Sequence, residues 1–287
     1  MTLPEDLLIE FPNFGGVKLG EVHAKGGSAT IYRAHYISNN DIVAVKIHQP
    51  NSESDGLSWR ARNEISFEVQ NPIEHRIIQK IDSTIIERKE AKLPCLLMSW
   101  SEMTDLVDFI SDEDPSIDGL NHRLIVAKSM AECVAYLHHN KWAHGDISPR
   151  NFLLDTDNDE AWLIDFESAI QLDSKNRGFQ VWANREYLAP EVDVHGSPAI
   201  GIKSDVWAFG ILLLEWLCPS VWNDIREKKG WGAILQQRKL ESHPAPFSSI
   251  LEIPSPQGLE SIWSWIKDAL SIDRQRRRDI EELLNLL

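Results

Sequence analysis

The segment that most constrains this fold spans residues 144–166 and reads HGDISPRNFLLDTDNDEAWLIDF. Its apolar runs FLL and AWLI are separated by the polar turn DTDND, which predicts a short β-hairpin. The hairpin would carry Asn151 and Asp165 at the same end, with Asp146 just before it. Because Mg²⁺ prefers carboxylate and amide oxygens together with substrate phosphates, three such donors at one place indicate a magnesium site.

The turn of this hairpin offers a competing interpretation. Asp155, Asp157 and Asp159 alternate as they do in a calcium-binding loop. That loop needs glycine at its sixth position and glutamate at its twelfth, where this chain has Glu160 and Phe166. We therefore expect a solvated hairpin turn and no calcium site.

The side chains at the base of the hairpin fit phosphoryl transfer, which depends on positioning and charge neutralisation more than on covalent help. In that chemistry Asp165 and Asn151 would hold the metal. Asp146 would orient the attacking hydroxyl and accept its proton.

Residues 20–47 predict two strands joined by a glycine-containing turn and then a third strand. Gly26 and Gly27 leave little side chain in the way of a ligand. In the run IVAVKI, the two-residue period of a strand places Ala44 and Lys46 on the face opposite the valines. This face would provide a flat surface for an adenine to lie on and a cation for its phosphates. A solvated lysine on an edge strand would show the same pattern.

Two helices are predicted around these strands. The first, over about residues 56–70, carries Glu64 and Glu68 one turn apart, and either could pair with Lys46. The second, over about residues 121–139, has a stripe that packs on a core, formed by Leu124, Ala127, Ala131 and Val134.

The net charge of −15 and the pI of about 5.1 argue against nucleic acid or an anionic membrane as a partner. Acidity favours basic substrates, although it also simply keeps proteins in solution.

Cys95, Cys133 and Cys218 are far apart, which is typical of core thiols in a reducing compartment. The longest apolar run, WAFGILLLEWLC, is too short for a bilayer, and no signal peptide is evident. We expect a soluble, intracellular, cytoplasmic protein.

The motifs together resemble those of the eukaryotic protein kinase superfamily from about Leu19 to the C-terminus. AKGGSATI matches the glycine-rich loop, VAVK the third strand, HGDISPRN the catalytic loop and DFE the metal-binding triplet. YLAPE, SDVWAFG and DRQRRRDIEELL follow in the family's order. Arg277 matches the arginine that pairs with the glutamate of the APE-type motif, here Glu191.

The resemblance implies an α+β, bilobal protein-kinase-like fold with a small β-rich N-lobe and a larger helical C-lobe. We expect an N-terminal extension over residues 1–18, an N-lobe of five mostly antiparallel strands and one helix over 19–100, and a C-lobe over 101–287. ATP with Mg²⁺ would lie in the cleft near a hinge at about Met98–Glu102, and the protein would act as a monomer.

The resemblance also implies roles residue by residue. Lys46 matches the lysine that grips the phosphates, with Glu64 as its preferred partner. Asp146 matches the catalytic aspartate, Asn151 and Asp165 the metal ligands, and Asp205 the aspartate that braces the catalytic loop. The nucleotide-binding positions are Ala24, Gly26, Gly27 and Ala29 in the loop, Ile31, Ala44 and Leu153 around the adenine, and Met98 at the gatekeeper.

Several positions depart from the family pattern. Gly145 replaces an arginine that receives a phosphorylated activation loop in many kinases, and Glu167 replaces the glycine of DFG. Ser148 replaces the lysine that touches the transferring phosphate in Ser/Thr kinases, and Arg150 resembles the arginine of the tyrosine-kinase AARN form. Asn184 stands where Ser/Thr kinases have threonine. Alanine replaces the first and third loop glycines, at Ala24 and Ala29.

Three functions are compatible with these features. The EYLAPE form favours a protein kinase that phosphorylates Ser/Thr hydroxyls of protein substrates. The HGD form also occurs in small-molecule phosphotransferases, although those relatives lack APE and SDVWAFG. A non-catalytic pseudokinase scaffold is the third possibility, but Lys46, Asp146 and Asp165 are all kept.

Overall fold

The computed structural model describes residues 3–51, 57–88, 91–110, 117–173, 186–195, 199–228 and 253–287. The chain forms the bilobal protein kinase fold, with a β-rich N-terminal region and a helical C-terminal region. Two compact units divide it, Met1–Glu102 and Met103–Leu287. Ser174 and Asn184 lie outside the described residues.

The first unit is built on one antiparallel sheet with the order β1-β2-β3-β4-β6-β5. The resemblance predicts five strands here, and the described residues of this unit form six. The strands are β1 Leu8–Phe11, β2 Gly15–Lys25, β3 Ala29–Tyr36, β4 Ile42–His48, β5 Lys80–Arg88 and β6 Ala91–Ser99.

The additional strand is β1, which alternates exposed and buried residues, with Ile9 and Phe11 facing the core. Asn13, in the turn after β1, binds the carboxylate of Asp82 on β5 through its backbone N–H at 2.8 Å and its side-chain amide at 3.1 Å. The strands at the two edges of the sheet, β1 and β5, therefore touch. The sheet curls far enough to be nearly closed around its apolar core.

A single α-helix, α1 Trp59–Ser66, belongs to this unit within the described residues. Ser58 caps it by accepting a hydrogen bond from the N–H of Ala61 at 3.1 Å. The helix buries Ala61 and Glu64. Its predicted extent to residue 70 is wrong, because the backbone becomes extended at Phe67 and Glu68 lies beyond the helix.

The second unit is mostly helical. Within the described residues its helices are α2 Ile117–His139, α3 Pro190–His195, α4 Ile202–Leu217, α5 Pro219–Lys228, α6 Glu260–Ala269 and α7 Ile280–Leu284. Its short strands are β7 Thr104–Asp105, β8 Trp142–Ala143, β9 Phe152–Asp155, β10 Glu160–Leu163 and β11 Ile170–Gln171.

Helices α2 and α4 form the centre of this unit. In the predicted stripe of α2, Ala127, Ala131 and Val134 are fully buried and Leu124 is half-buried. Helix α4 is apolar on nearly all sides and is buried along most of its length, as expected of a central core helix. Among the described residues no single helix is long and apolar enough to cross a membrane; α4 and the start of α5 satisfy that test only as a pair bent by 115°.

Candidate active site

The third strand of the predicted nucleotide site is β4, and its two faces have the composition that the sequence predicts. Val43, Val45 and Ile47 belong to the apolar core of the first unit. The opposite face carries Ala44 and Lys46, both almost fully buried.

Neighbouring strands complete this face of the sheet. Met98 on β6 is the direct cross-strand neighbour of Ala44, and Ile31 on β3 is the neighbour of Lys46. Cross-strand partners project from the same face of a sheet. The structure therefore brings Ile31, Ala44, Lys46 and Met98 onto one surface, while Leu153 lies in the second unit on β9.

The small-residue turn joins β2 to β3 beside this surface. The N–H of Gly26 donates to the carbonyl of Ala29 at 2.9 Å, which closes the turn. Ala24 is the cross-strand partner of Ile31. A methyl group built on Gly27 would meet no atom within 4 Å, so the space above the turn is open. A ligand can approach this backbone closely.

Glu64 of α1 holds the Lys46 ammonium. Lys46 Nζ lies 2.8 Å from Glu64 Oε1, and the two residues are 5% and 4% exposed. Glu68 lies 3.8 Å from the Nζ atom of a different lysine, Lys80. Of the two glutamates that the sequence left open, Glu64 is thus the partner of Lys46.

The catalytic loop, residues 144–151, is held in the second unit by one buried carboxylate. Asp205 on α4 accepts the backbone N–H of His144 at 2.7 Å and that of Gly145 at 2.9 Å. His138, at the end of α2, places its Nε2 3.0 Å from the same carboxylate. Asp205 braces the loop as the sequence implied, whereas the contribution of His138 was missed.

The metal ligands implied by the sequence meet at the start of the β9–β10 hairpin. The side-chain amide of Asn151 donates to the carbonyl of Asp146 at 2.6 Å, and the Asn151 carbonyl accepts from the N–H of Ile164 at 3.0 Å. Since the amide nitrogen is engaged, the amide oxygen of Asn151 is the atom left to bind a cation. Asp165 follows Ile164 in the chain, so Asn151 and Asp165 lie at the same end of the hairpin, and their role as metal ligands stays a prediction.

Asp165 has a left-handed backbone, with φ of 63°. Aspartate enters this region more readily than most residues, but the conformation still costs about 1 kcal/mol or more and recurs at functional sites. Its Oδ1 atom lies 3.4 Å from the backbone N of Glu167. Glu167 itself is buried and is not among the described residues with positive φ.

Gly145 occupies a position that only glycine suits. Its φ is 77°, and a Cβ built there would lie 2.5 Å from the carbonyl oxygen of Ser168. The sequence shows glycine where many kinases have arginine. The structure adds a physical reason, because no L side chain fits this backbone without displacing residue 168.

Ser148, which replaces the family's lysine, and Arg150, which could supply a cation instead, differ in exposure. Ser148 is buried, whereas Arg150 is exposed within the 3-10 turn Pro149–Asn151. No ion pair found in the described part of the chain includes Arg150. The catalytic role predicted for Arg150 stays a prediction.

His144 lies in the interior of the loop. Its Nε2 is 3.0 Å from the carbonyl oxygen of Ile164, and its Nδ1 faces the N–H of Asp146 at 3.3 Å. Its ring packs edge-to-face on Phe166 with centroids 5.3 Å apart. Burial lowers the pKa of His144 from its usual value, against the opposing effect of Asp205, so the imidazole is neutral. It orders the loop through neutral hydrogen bonds.

The acidic hairpin turn is solvated, as the sequence indicated. Asp155 accepts from the backbone of Asp157 at 3.0 Å and from the side-chain amide of Asn158 at 2.9 Å. The hydrogen bond from Asn158 lowers the pKa of Asp155. These local hydrogen bonds engage the carboxylate of Asp155 within the turn itself.

The predicted partner of the APE-type glutamate is also present. Arg277 forms a two-pronged ion pair with Glu191, at 2.6 and 2.9 Å, and its guanidinium lies 4.9 Å from the ring of Trp207. Arg277 is fully buried. Sequence reasoning found this pair because both motifs are intact.

Comparison with known proteins supports the same family. The chain is 26% identical to maternal embryonic leucine zipper kinase of Xenopus laevis, an alignment that covers 70% of this chain and 30% of that protein. It is 26% identical to serine/threonine-protein kinase tousled-like 1 of Caenorhabditis elegans, with 90% and 27% covered. It is 31% identical to cyclin-dependent kinase 7 of Carassius auratus, with 67% and 54% covered.

The chain thus spans between 27% and 54% of the length of these relatives. The model of the protein kinase domain matches residues 17–286, nearly the whole sequence. Together with the lysine–glutamate pair, the braced catalytic loop and the buried arginine–glutamate pair, this match shows that the chain belongs to the protein kinase family.

Proposed function

We propose that this protein is an active kinase that transfers the terminal phosphate of ATP, with Mg²⁺, to serine or threonine hydroxyls of protein substrates. The observation that carries the proposal is the buried pair between Lys46 and Glu64 at 2.8 Å. A lysine held by a carboxylate in a fixed direction is prepared to bind phosphate, and kinases need this pair in place.

The residues of the catalytic loop supply the remaining functions. Asp146, whose carbonyl is tied to Asn151, would orient the substrate hydroxyl and take up its proton. Asn151 and Asp165 fit Mg²⁺ because they present an amide oxygen and a carboxylate. The metal, when bound, would neutralise charge on the phosphates. Lys46 would bind phosphate oxygens of ATP from its own strand.

The choice of substrate rests on two further features. The relatives include proteins named as serine/threonine kinases, and the segment EYLAPE has the form typical of that group. The net charge of −15 favours basic protein substrates. We also propose a cytoplasmic location, in keeping with three buried cysteines that form no disulfide within the described residues.

The test is to incubate the purified protein with labelled ATP and Mg²⁺, alone and with basic test proteins. We expect label on serine and threonine of the protein substrates. An Asp165→Asn variant should lose transfer while keeping its fold, because it removes a charge from the metal site.

Thermal stabilisation by ATP, measured with and without Mg²⁺, checks the assignment of Asp165. We expect the Mg²⁺-dependent part of the shift to vanish in Asp165→Asn. An equal shift in both proteins would reject the assignment. Nucleotide binding without transfer to any protein would favour a pseudokinase, and transfer only to small hydroxyl compounds would favour the small-molecule alternative.

A further inference from the structure

The carboxylate of Glu64 has a second neighbour on the strand that carries Lys46. His48, two residues further along β4, projects from the same face of the strand. Its Nε2 lies 3.0 Å from Glu64 Oε2, while Lys46 Nζ lies 2.8 Å from Oε1. One carboxylate thus bridges two side chains of one strand.

All three members of this cluster are removed from solvent. His48 is 1% exposed, Glu64 is 4% exposed and Lys46 is 5% exposed. A buried carboxylate oxygen that loses its partner is destabilised, because no water replaces the lost interaction. No hydrogen bond joins His48 Nε2 to Glu64 Oε2, so their contact at 3.0 Å is an electrostatic one in a buried site of low dielectric.

Glu64 has another cation in its surroundings. Burial lowers the pKa of Lys80, on β5, and the nearby charges of Glu68 and Glu64 partly oppose this shift. A glutamate side chain with one anchored oxygen can rotate about its terminal bond. With His48 also packed against Oε2, that rotation is restricted and Oε1 keeps its position against Lys46.

We propose that His48 is a positioning residue, which fixes the Glu64 carboxylate so that Glu64 in turn holds Lys46 in its phosphate-binding orientation. The inference rests on the proposed role of Lys46 in binding ATP. Loss of His48 would leave only a fraction of molecules with the pair formed. The apparent ATP affinity is then the intrinsic affinity multiplied by that fraction. The rate of phosphate transfer in molecules that have already bound ATP changes little.

The test compares His48→Leu, which removes the polar contact, with His48→Gln, which keeps an amide donor at a similar reach. We expect the ATP KM of His48→Leu to rise about tenfold with kcat changed less than about threefold. His48→Gln should recover most of the affinity. His35→Leu is the matched control, because His35 lies on β3 of the same sheet and no ion pair among the described residues includes it; its KM should stay at the wild-type value.

A second measurement does not depend on activity. The unfolding equilibria of His48→Leu, Glu64→Gln and the double variant form a cycle. If the two single effects were independent, their product would give the unfolding constant of the double variant. We expect the measured constant to be about three- to tenfold smaller than that product. If the unfolding constant of the double variant agrees within about 1.5-fold with the product of the two single effects, the residues are not coupled. That result would overturn the inference, even if the enzyme is active.

The two measurements also separate this inference from the proposed function. A wild-type protein that neither binds nor uses ATP, but whose His48 and Glu64 variants are coupled, would refute the kinase proposal and retain the contact. Coupling together with an unchanged KM in His48→Leu would overturn the positioning role and leave the kinase proposal intact.

Discussion

The replacement of Gly145 by alanine tests the physical reason for the glycine in the HGD motif. The φ of 77° costs a residue with a Cβ about 1 kcal/mol. The added Cβ would lie 2.5 Å from the carbonyl oxygen of Ser168, well inside contact distance. Overpacking of this kind costs about 1–3 kcal/mol. We therefore expect Gly145→Ala to lower the free energy of unfolding by about 3 kcal/mol.

Gly258 provides a matched control in the same unit. It has a similar φ of 82°, but a Cβ there would meet only the Leu120 side chain, at 3.4 Å. Gly258→Ala should therefore lower the free energy of unfolding only by the backbone contribution of about 1 kcal/mol. The difference between the two variants measures the clash with residue 168.

Urea unfolding followed by circular dichroism measures both effects, and the midpoints give the change in stability when the slopes agree. Gly145→Arg, which restores the residue common in this family, should be at least as unstable as Gly145→Ala. If Gly145→Ala proves as stable as Gly258→Ala, the loop relaxes around the new side chain and the steric argument fails.

Three further predictions concern the second unit. Arg150→Ala should lower kcat about 100-fold with little change in the ATP KM, if this exposed arginine supplies the cation for the transferring phosphate; a wild-type rate would refute that role. Phosphatase treatment should leave activity unchanged, because Gly145 cannot receive a phosphate and Ser168 is buried; a large drop would contradict this. The pKa of His144 in the folded state is lowered from its usual value of 6.5. Between the lowered value and 6.5, the unfolded chain binds more protons than the folded chain. The free energy of unfolding should therefore fall as the pH drops through this range. Urea titrations at pH 7.5 and 5.5 should show this fall, by at most about 1.4 kcal/mol per pH unit, and a smaller one in His144→Asn.

The parts of the site that the sequence predicted well are those in which a local pattern determines geometry. The alternation in β4 separates Val43 and Val45 from Lys46 whatever surrounds the strand. The hairpin brings Asn151 next to Asp165 because the turn between its strands is short. Strand period and turn length are local properties, so one sequence suffices for them.

The parts that were missed depend on where elements end and on contacts between distant segments. Glu64 and Glu68 could not be distinguished because α1 ends at Ser66 without a glycine or proline to mark its end. His48 lies two residues after Lys46 on the same strand face, a signal that was present in the sequence. Its importance depends on the carboxylate that packs against it, which spacing alone does not reveal.

The extra strand β1 has a practical consequence for work on this protein. The family match begins at residue 17, so a fragment cut at that boundary would lack β1. It would lose the burial of Ile9 and Phe11, worth roughly 3–6 kcal/mol, and Asp82 would lose its two hydrogen bonds from Asn13. The uncovered edge of β2 would present unpaired backbone groups to other chains. Such a fragment would aggregate, and its inactivity could be mistaken for that of a pseudokinase.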